Sequence, residues 1–396
     1  AERKRLYDKP RSSWADYQKS IISKGGGVFS RSLKSIAITK EIAALTGLRS
    51  PQVTPSELML ALLKAPCELL WFGGIGNYVK SRAQAHADVG DKANDAIRVD
   101  AEDLQAQVIG EGANLGVTQK GRIAFAKFGN NGAGGRINTD AIDNSAGVDT
   151  SDHEVNIKIL LAEAIRSGAL KADKREKLLQ SMTDEVGELV LEDNYDQTGA
   201  ISIAQASAAS DLDSHERFIQ RLEASGKLSR RVEGLPSSAD ITALRAAKLG
   251  LTRPELAKLV AYAKIDLFDA LVASKAPDDP AFAEPLKCYF PRELWNFEAQ
   301  MRAHRLRREI IATQWADDLV NRCGPSFVDR INEITRAGPV TVACAFEAAR
   351  RIFNLEALVE RINALDNKAP AAAQTALHQR VGKMLRRYTC TPVTAD

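Results

Sequence analysis

Cysteine is scarce: five residues in 396, Cys67, Cys288, Cys323, Cys344 and Cys390, odd in number and widely spaced, with no C-x-x-C pair. That argues against a disulfide framework and against a zinc knuckle, and points to a reducing compartment, the cytoplasm. Histidine is as sparse. His86, His153, His215, His304 and His378 are too scattered to read as a metal site, and His86 with Asp88 and Asp91 reads as a polar loop. No long hydrophobic run exists. The most apolar stretch, residues 58–75, is broken by Lys64, Pro66 and Glu68, whereas a membrane span needs about 20 nearly unbroken apolar residues. Charge of one sign is not in excess either. Lys and Arg total 54 against 51 Asp and Glu, a net of +3, so nothing calls for nucleic acid or an anionic membrane as a partner. The basic start Ala1-Glu2-Arg3-Lys4-Arg5 lacks the apolar segment of a signal peptide. It also lacks a Met, so the chain is expected to be a piece of something longer. Neither G-x-G-x-x-G after a strand nor G-x-x-x-x-G-K-[ST] occurs.

What is present falls into two halves. Residues 1–152 are punctuated by glycine clusters at 25–27, 73–76, 110–112 and 129–135. Short apolar runs at 67–72, 107–109 and 136–142 read as strands, and 55–64, 118–127 and, less clearly, 80–86 read as helices. Strands alternating with helices predict a parallel α/β sheet. Residues 153–396 contain no convincing strand. Apolar stripes at helical spacing, such as Leu256, Leu259, Val260, Ala263, Leu267 and Leu271, predict an all-helical region of eight to ten helices. Thr252-Arg253-Pro254-Glu255 and Asp173-Lys174-Arg175-Glu176 read as helix starts.

Ligands of open α/β sheets bind beyond the C-terminal strand ends. Three loops fit that rule: Gly73-Gly74-Ile75-Gly76-Asn77, Gly110-Glu111-Gly112-Ala113-Asn114, and the polar run at 143–154. Glycines permit close approach of a ligand, or simply make a turn. An Asn amide suits an amide or carboxylate ligand, or bonds its own backbone. Ser151 or Asp152 reads as the N-cap of a helix beginning near Val155, at an end that also suits anions.

The motifs at these loops identify a family. Gly73-Gly74-Ile75-Gly76-Asn77-Tyr78-Val79-Lys80, Gly110-Glu111-Gly112-Ala113-Asn114-Leu115-Gly116, Gly135-Arg136-Ile137-Asn138-Thr139-Asp140, Asp143-Asn144-Ser145-Ala146-Gly147-Val148-Asp149 and Ser151-Asp152-His153-Glu154-Val155-Asn156-Ile157-Lys158 strongly resemble the large NAD-specific glutamate dehydrogenases of bacteria. The resemblance implies oxidation of L-glutamate to 2-oxoglutarate and ammonia with NAD as cofactor. It implies that residues 1–152 are the later part of a doubly wound, Rossmann-like dinucleotide-binding domain and 153–396 a helical C-terminal domain. It further implies a cytoplasmic homo-oligomer. Residue by residue, Gly73 and Gly74 fall where the backbone passes the cofactor, and Asn114 falls near nicotinamide and substrate. Asn144 lines the nicotinamide and substrate pocket, and Ser151 bonds the substrate's side-chain carboxylate. Lys80 is the nearest basic candidate, with a solvated surface lysine as the plainer reading. The family's pyrophosphate fingerprint and catalytic lysine and aspartate have no counterpart here, so no catalytic residue is assigned and the 396 residues alone are expected to be inactive. The rival readings are an amino-acid dehydrogenase with an apolar substrate and a non-catalytic helical assembly module.

Overall fold

The computed structural model describes residues 1–280 and 283–390, and the chain divides into two units, Ala1–Asp140 and Ala141–Asp396. In the first unit short helices and strands alternate. The helices are α1 (Glu2–Asp8), α2 (Lys40–Thr46), α3 (Pro55–Leu63), α4 (His86–Val89) and α5 (Gln119–Phe128). The strands are β1 (Ile36–Ala37), β2 (Gln52–Val53), β3 (Leu69–Phe72), β4 (Val79–Lys80), β5 (Val99–Asp100) and β6 (Val108–Glu111). β1 and β2 pair antiparallel, whereas β3 pairs with β6 and β4 with β5 in parallel. Caps fix the helix starts. Thr54 Oγ1 accepts the Glu57 amide (3.3 Å) while Glu57 Oε2 accepts the Thr54 amide (2.7 Å), and Thr118 Oγ1 accepts the Gly121 amide (3.0 Å). Each such cap stabilises by about 1 kcal/mol.

Alternation along β3 puts Phe72 into a core with Val79, Val99, Ile109, Phe125 and Ile137, and leaves Leu69 and Trp71 exposed on the other face. Two expected elements are not there. The run at 136–142 is no strand: Arg136 makes a single parallel bridge to Val108, and the chain then turns into α6 (Asp140–Asp143). Residues 80–86 are no helix, because Lys80 completes β4.

The second unit is helical throughout its described residues: α7 (Ser145–Arg166), α8 (Arg175–Ser181), α9 (Thr183–Ala206), α10 (Leu212–Ala224), α11 (Arg230–Glu233), α12 (Ser238–Ala246), α13 (Arg253–Ala273), α14 (Glu284–Tyr289), α15 (Glu298–Arg302), α16 (Arg307–Cys323), α17 (Phe327–Thr335), α18 (Pro339–Ile352), α19 (Leu355–Asn363) and α20 (Ala371–Cys390). Helices are more numerous than the stripes suggested, because short ones fill the connections. α13 carries the stripe read from sequence: Leu256, Leu259, Val260, Ala263, Leu267 and Leu271 are all buried. It starts at Thr252, whose amide donates to Glu255 Oε2 (2.7 Å). Asp173 does not start α8; that helix begins at Arg175 after a 3-10 turn, Ala172–Lys174. One continuous apolar core runs through α7, α9, α10, α13 and α16 to α20.

The polar run at 143–154 is the largest correction. It is not a loop leading to a helix near Val155; α7 begins at Ser145, so Ser151 and Asp152 lie inside the helix and cap nothing. Packing overrides the weak helix propensity of its Ser, Thr and Asp residues. Ser145 and His153 are buried along with Ile157, Leu160 and Leu161, and the α9 side chain Asn194 grips the start, donating to the Ile142 carbonyl (2.7 Å) and to Ser145 Oγ (2.9 Å).

Candidate functional site

β3 and β6 are in parallel register from Leu69↔Val108 to Phe72↔Glu111, so the turns that follow them leave the sheet at one edge. The structure thereby brings Gly73, Gly74 and Asn114 to the same C-terminal strand ends. Gly73, Gly74 and Asn114 are all exposed, and nothing lies within 4 Å of where a Gly74 side chain would begin. Glycine is demanded more strictly one turn away. A Cβ on Gly110 or Gly112 would stand 2.5 or 2.3 Å from the Trp71 indole, which lies along both backbones.

The Asn114 turn is held from inside by a charge cluster that sequence reading did not single out. Glu111, at the end of β6, is fully buried and receives a bidentate pair from Arg122 of α5, Nε to Oε2 at 2.7 Å and Nη2 to Oε1 at 2.9 Å. Arg122 Nη2 also reaches Asp140 Oδ1 (3.0 Å). The two carboxylates then take amides from the turn itself: Val117 N–H donates to Glu111 Oε1 (3.0 Å) and Leu115 N–H to Asp140 Oδ2 (2.9 Å). Burial pushes the Glu111 carboxyl up, with Arg122 and the Val117 amide pulling against that rise. The geometry retains a backbone that would otherwise relax, since Leu115 sits at a φ of 65°. A left-handed conformation at such a residue costs about 1–3 kcal/mol and persists only where its surroundings impose it.

Lys80 is not a solvated surface lysine. It is buried in β4 and paired with Asp100 of β5, which leaves its charge compensated. The His86 region is a self-bonded polar segment around the short helix α4: Asp88 accepts the Ala85 amide, Asp91 the Asn77 amide, and His86 Nδ1 lies 2.9 Å from Arg98 Nη1.

Asn144 and Ser151 belong to the second unit. Asn144 is the residue before the first turn of α7, half-buried, and its Oδ1 lies 2.8 Å from where a Gly147 side chain would begin, so any larger residue at 147 would have to turn the Asn144 amide aside. Ser151 is exposed two turns into the helix. Spacing of 144, 148, 151 and 155 puts Asn144, Ser151 and the exposed Val148 and Val155 on one side of α7, away from the buried His153, Ile157 and Leu160. Asn194, which grips the start of α7, had no signal in the sequence beyond being one polar residue within a helix. Among the described residues no helix is long and apolar enough to cross a membrane, and the five cysteines are free.

The fold and these turns define a class: an α/β unit followed by a helical unit, with open glycine turns and an amide side chain at the C-terminal ends of parallel strands, where α/β proteins bind their ligands. Comparison with known proteins narrows it. The family model for the bacterial NAD-glutamate dehydrogenase catalytic domain matches residues 1–204, and the model for the glutamate dehydrogenase C-terminal region matches residues 248–391. The chain belongs to the bacterial NAD-glutamate dehydrogenase family. It is 49% identical over 389 residues to an NAD-specific glutamate dehydrogenase of Pseudomonas aeruginosa, 47% over 390 residues to one of Halomonas elongata, and 43% over 405 residues to one of Mycobacterium tuberculosis. Those alignments cover 98%, 98% and 99% of this chain but 24%, 24% and 25% of the relatives, so the chain spans about a quarter of their length.

Proposed function

We propose that the chain is part of an NAD-dependent glutamate dehydrogenase that converts L-glutamate to 2-oxoglutarate and ammonia. The carrying observation is the similarity along nearly the whole chain to relatives named NAD-specific glutamate dehydrogenase, with Gly73, Gly74 and Asn114 gathered at one strand-end edge. On this reading the α/β unit, expected to run to 152 but ending at Asp140, supplies the later part of a doubly wound dinucleotide-binding domain, and the helical unit that follows is a C-terminal domain.

NAD, when bound, accepts the hydride. The residues of this chain bind and orient. The open backbone at Gly73 and Gly74 fits a cofactor passing close by, and the exposed Asn114 amide offers donors and an acceptor to a carboxamide. Asn144 holds nicotinamide and substrate without titrating, and the Ser151 hydroxyl donates to the substrate's side-chain carboxylate. Positioning of this kind is worth several kcal/mol when the reacting atoms are held at near-contact distance. No residue of the chain is assigned to proton transfer. Homo-oligomerisation and a cytoplasmic location complete the proposal, to be checked by light scattering and by cell fractionation.

Asn144→Ala in the complete enzyme should lower kcat/KM by the equivalent of about 2–4 kcal/mol, as expected for loss of a preorganised donor. Unchanged kinetics beside a lower Tm would favour a purely structural role at the start of α7. Ser151→Ala should raise the KM for glutamate and leave NAD affinity nearly intact, because a hydroxyl that contacts one ligand contributes to binding that ligand alone. Turnover of leucine or phenylalanine in preference to glutamate would replace the proposed substrate by an apolar amino acid.

A further inference from the structure

The helical unit holds a cluster that the dehydrogenase reading does not use. Asp149 and His153 are four residues apart on α7 and so share one side of that helix, the side turned away from Ser151. Asp193 faces them from α9, which packs against α7. One donor atom from each of the three lies within 4.8 Å of the other two. Atoms bound at about 2.0–2.2 Å to a common ion in tetrahedral geometry stand about 3.3–3.6 Å apart, so side-chain adjustments of about 1 Å close the set.

The imidazole makes this more than a group of acids. His153 is 2% exposed, yet neither ring nitrogen has a hydrogen-bond partner, and Asp149 Oδ2 is likewise buried without one. Its Nε2 is 3.9 Å from Asp149 Oδ1, too long for a hydrogen bond and near enough for an ion to lie between. Buried polar atoms left unsatisfied cost about 1–3 kcal/mol each, and native chains rarely carry several together. The ring is otherwise well fixed. Tyr289 stacks on it, centroids 4.4 Å apart and planes 14° from parallel, and the Tyr289 hydroxyl accepts from Asn156 Nδ2 (2.8 Å). The nearby cation Lys264 makes its ion pair with Asp317 (3.1 Å) and reaches Asp193 only by attraction through space. His153 and Asp193 line a cleft of about 500 Å³, which gives an ion its path in and leaves room for water as the remaining ligand.

We propose that Asp149, His153 and Asp193 form a site for one divalent first-row transition cation, which ties α7 to α9. Two carboxylates and an imidazole favour such an ion over Ca²⁺ or Mg²⁺, which prefer oxygen-only shells. Two negative charges from the acids match its double positive charge. Sequence reading overlooked the site because it weighed His86, whose neighbours in sequence are acids, and not His153, whose partner Asp193 lies forty residues on.

The test uses the whole 396-residue chain, stripped with a chelator and titrated with Mn²⁺ by calorimetry and with Co²⁺ by visible absorption. The thiols of Cys67 and Cys288 are exposed, and Mn²⁺ avoids them. One saturating equivalent and a raised Tm are expected with either ion. His153→Phe keeps the stack on Tyr289 and removes the nitrogens; Asp149→Asn keeps the volume and relieves repulsion with Asp193. Each should weaken binding at least tenfold and abolish the Tm response, while far-ultraviolet dichroism shows the ion-free fold unchanged. Should His153→Phe fail to fold, Asp149→Asn decides alone. Absence of a saturating equivalent with both ions would overturn the site, as would an equivalent that binds the folded variants with unchanged affinity.

Discussion

The two units hold their polar residues in place by different means. In the first, the Asn114 turn is anchored by the buried Glu111–Arg122–Asp140 cluster and by glycines that let Trp71 lie on the backbone. The apolar core behind it is small, and Leu69, Trp71, Ile75 and Leu115 are exposed around it. In the second, the Asn144 end of α7 is anchored by a helix embedded in a continuous apolar core, with one amide, Asn194, across its start. A turn defined by a few charged contacts fails when one of them goes; a helix end defined by a whole buried face does not. That difference sets the order of the effects below.

The largest is expected at Arg122. Arg122→Ala leaves Glu111 buried and unpaired and should cost about 3–5 kcal/mol. Hydrogen exchange should quicken at the Leu115 and Val117 amides while α13 stays protected. Replacing Glu111 and Arg122 together by Gln and Met should recover most of the loss, and failure to recover it would mean that packing, not charge, secures the turn.

The helical unit should instead be sensitive to acid. Burial on α10 pushes His215 down to about 4 from an ordinary 6.5, with Asp211 opposing and Arg330 adding to the fall. The folded chain therefore keeps the ring neutral where the unfolded chain protonates it. Stability is complete above the unfolded value and is lost as pH falls toward 4, by about 3 kcal/mol across that interval and about 2 kcal/mol by pH ~5. Urea unfolding at pH ~7 and pH ~5 should show this slope, and His215→Leu should flatten it. An unaltered slope in that variant would place the acid sensitivity on another group.

The smallest effect tests the glycines. Gly110→Ala should cost about 1–3 kcal/mol by pushing the Trp71 indole aside, toward the low end because that ring is half-exposed and can swing outward. Fluorescence of Trp71 should shift to the red. In a Trp71→Ala background the same substitution should be nearly neutral; an equal cost in both backgrounds would show that the strand, not the indole, requires glycine.

Legibility followed the same divide. The stripe of α13 and its Thr252 start could be read directly, since period and cap are local signals and the burial that follows is their consequence. The Gly73-Gly74 and Asn114 turns could also be placed, because a short apolar run ending in glycine marks a strand end. What escaped was long-range. Arg122 reads as one more exposed charge on a helix, and only the fold brings it to Glu111 and Asp140. Residues 143–154 read as a loop because their composition is polar; Asn194, forty to fifty residues on, makes them a helix.

The buried charge cluster behind Asn114 also settles how that turn responds to ionic strength. Mobile ions weaken attraction between exposed groups, as at Arg217–Glu333 and Arg245–Asp213 on the helical surface. They cannot enter between Arg122 and Glu111, whose side chains are 5% and 0% exposed. Concentrated salt would thus loosen the ion pairs that decorate the helices and leave the Asn114 amide where dilute buffer puts it.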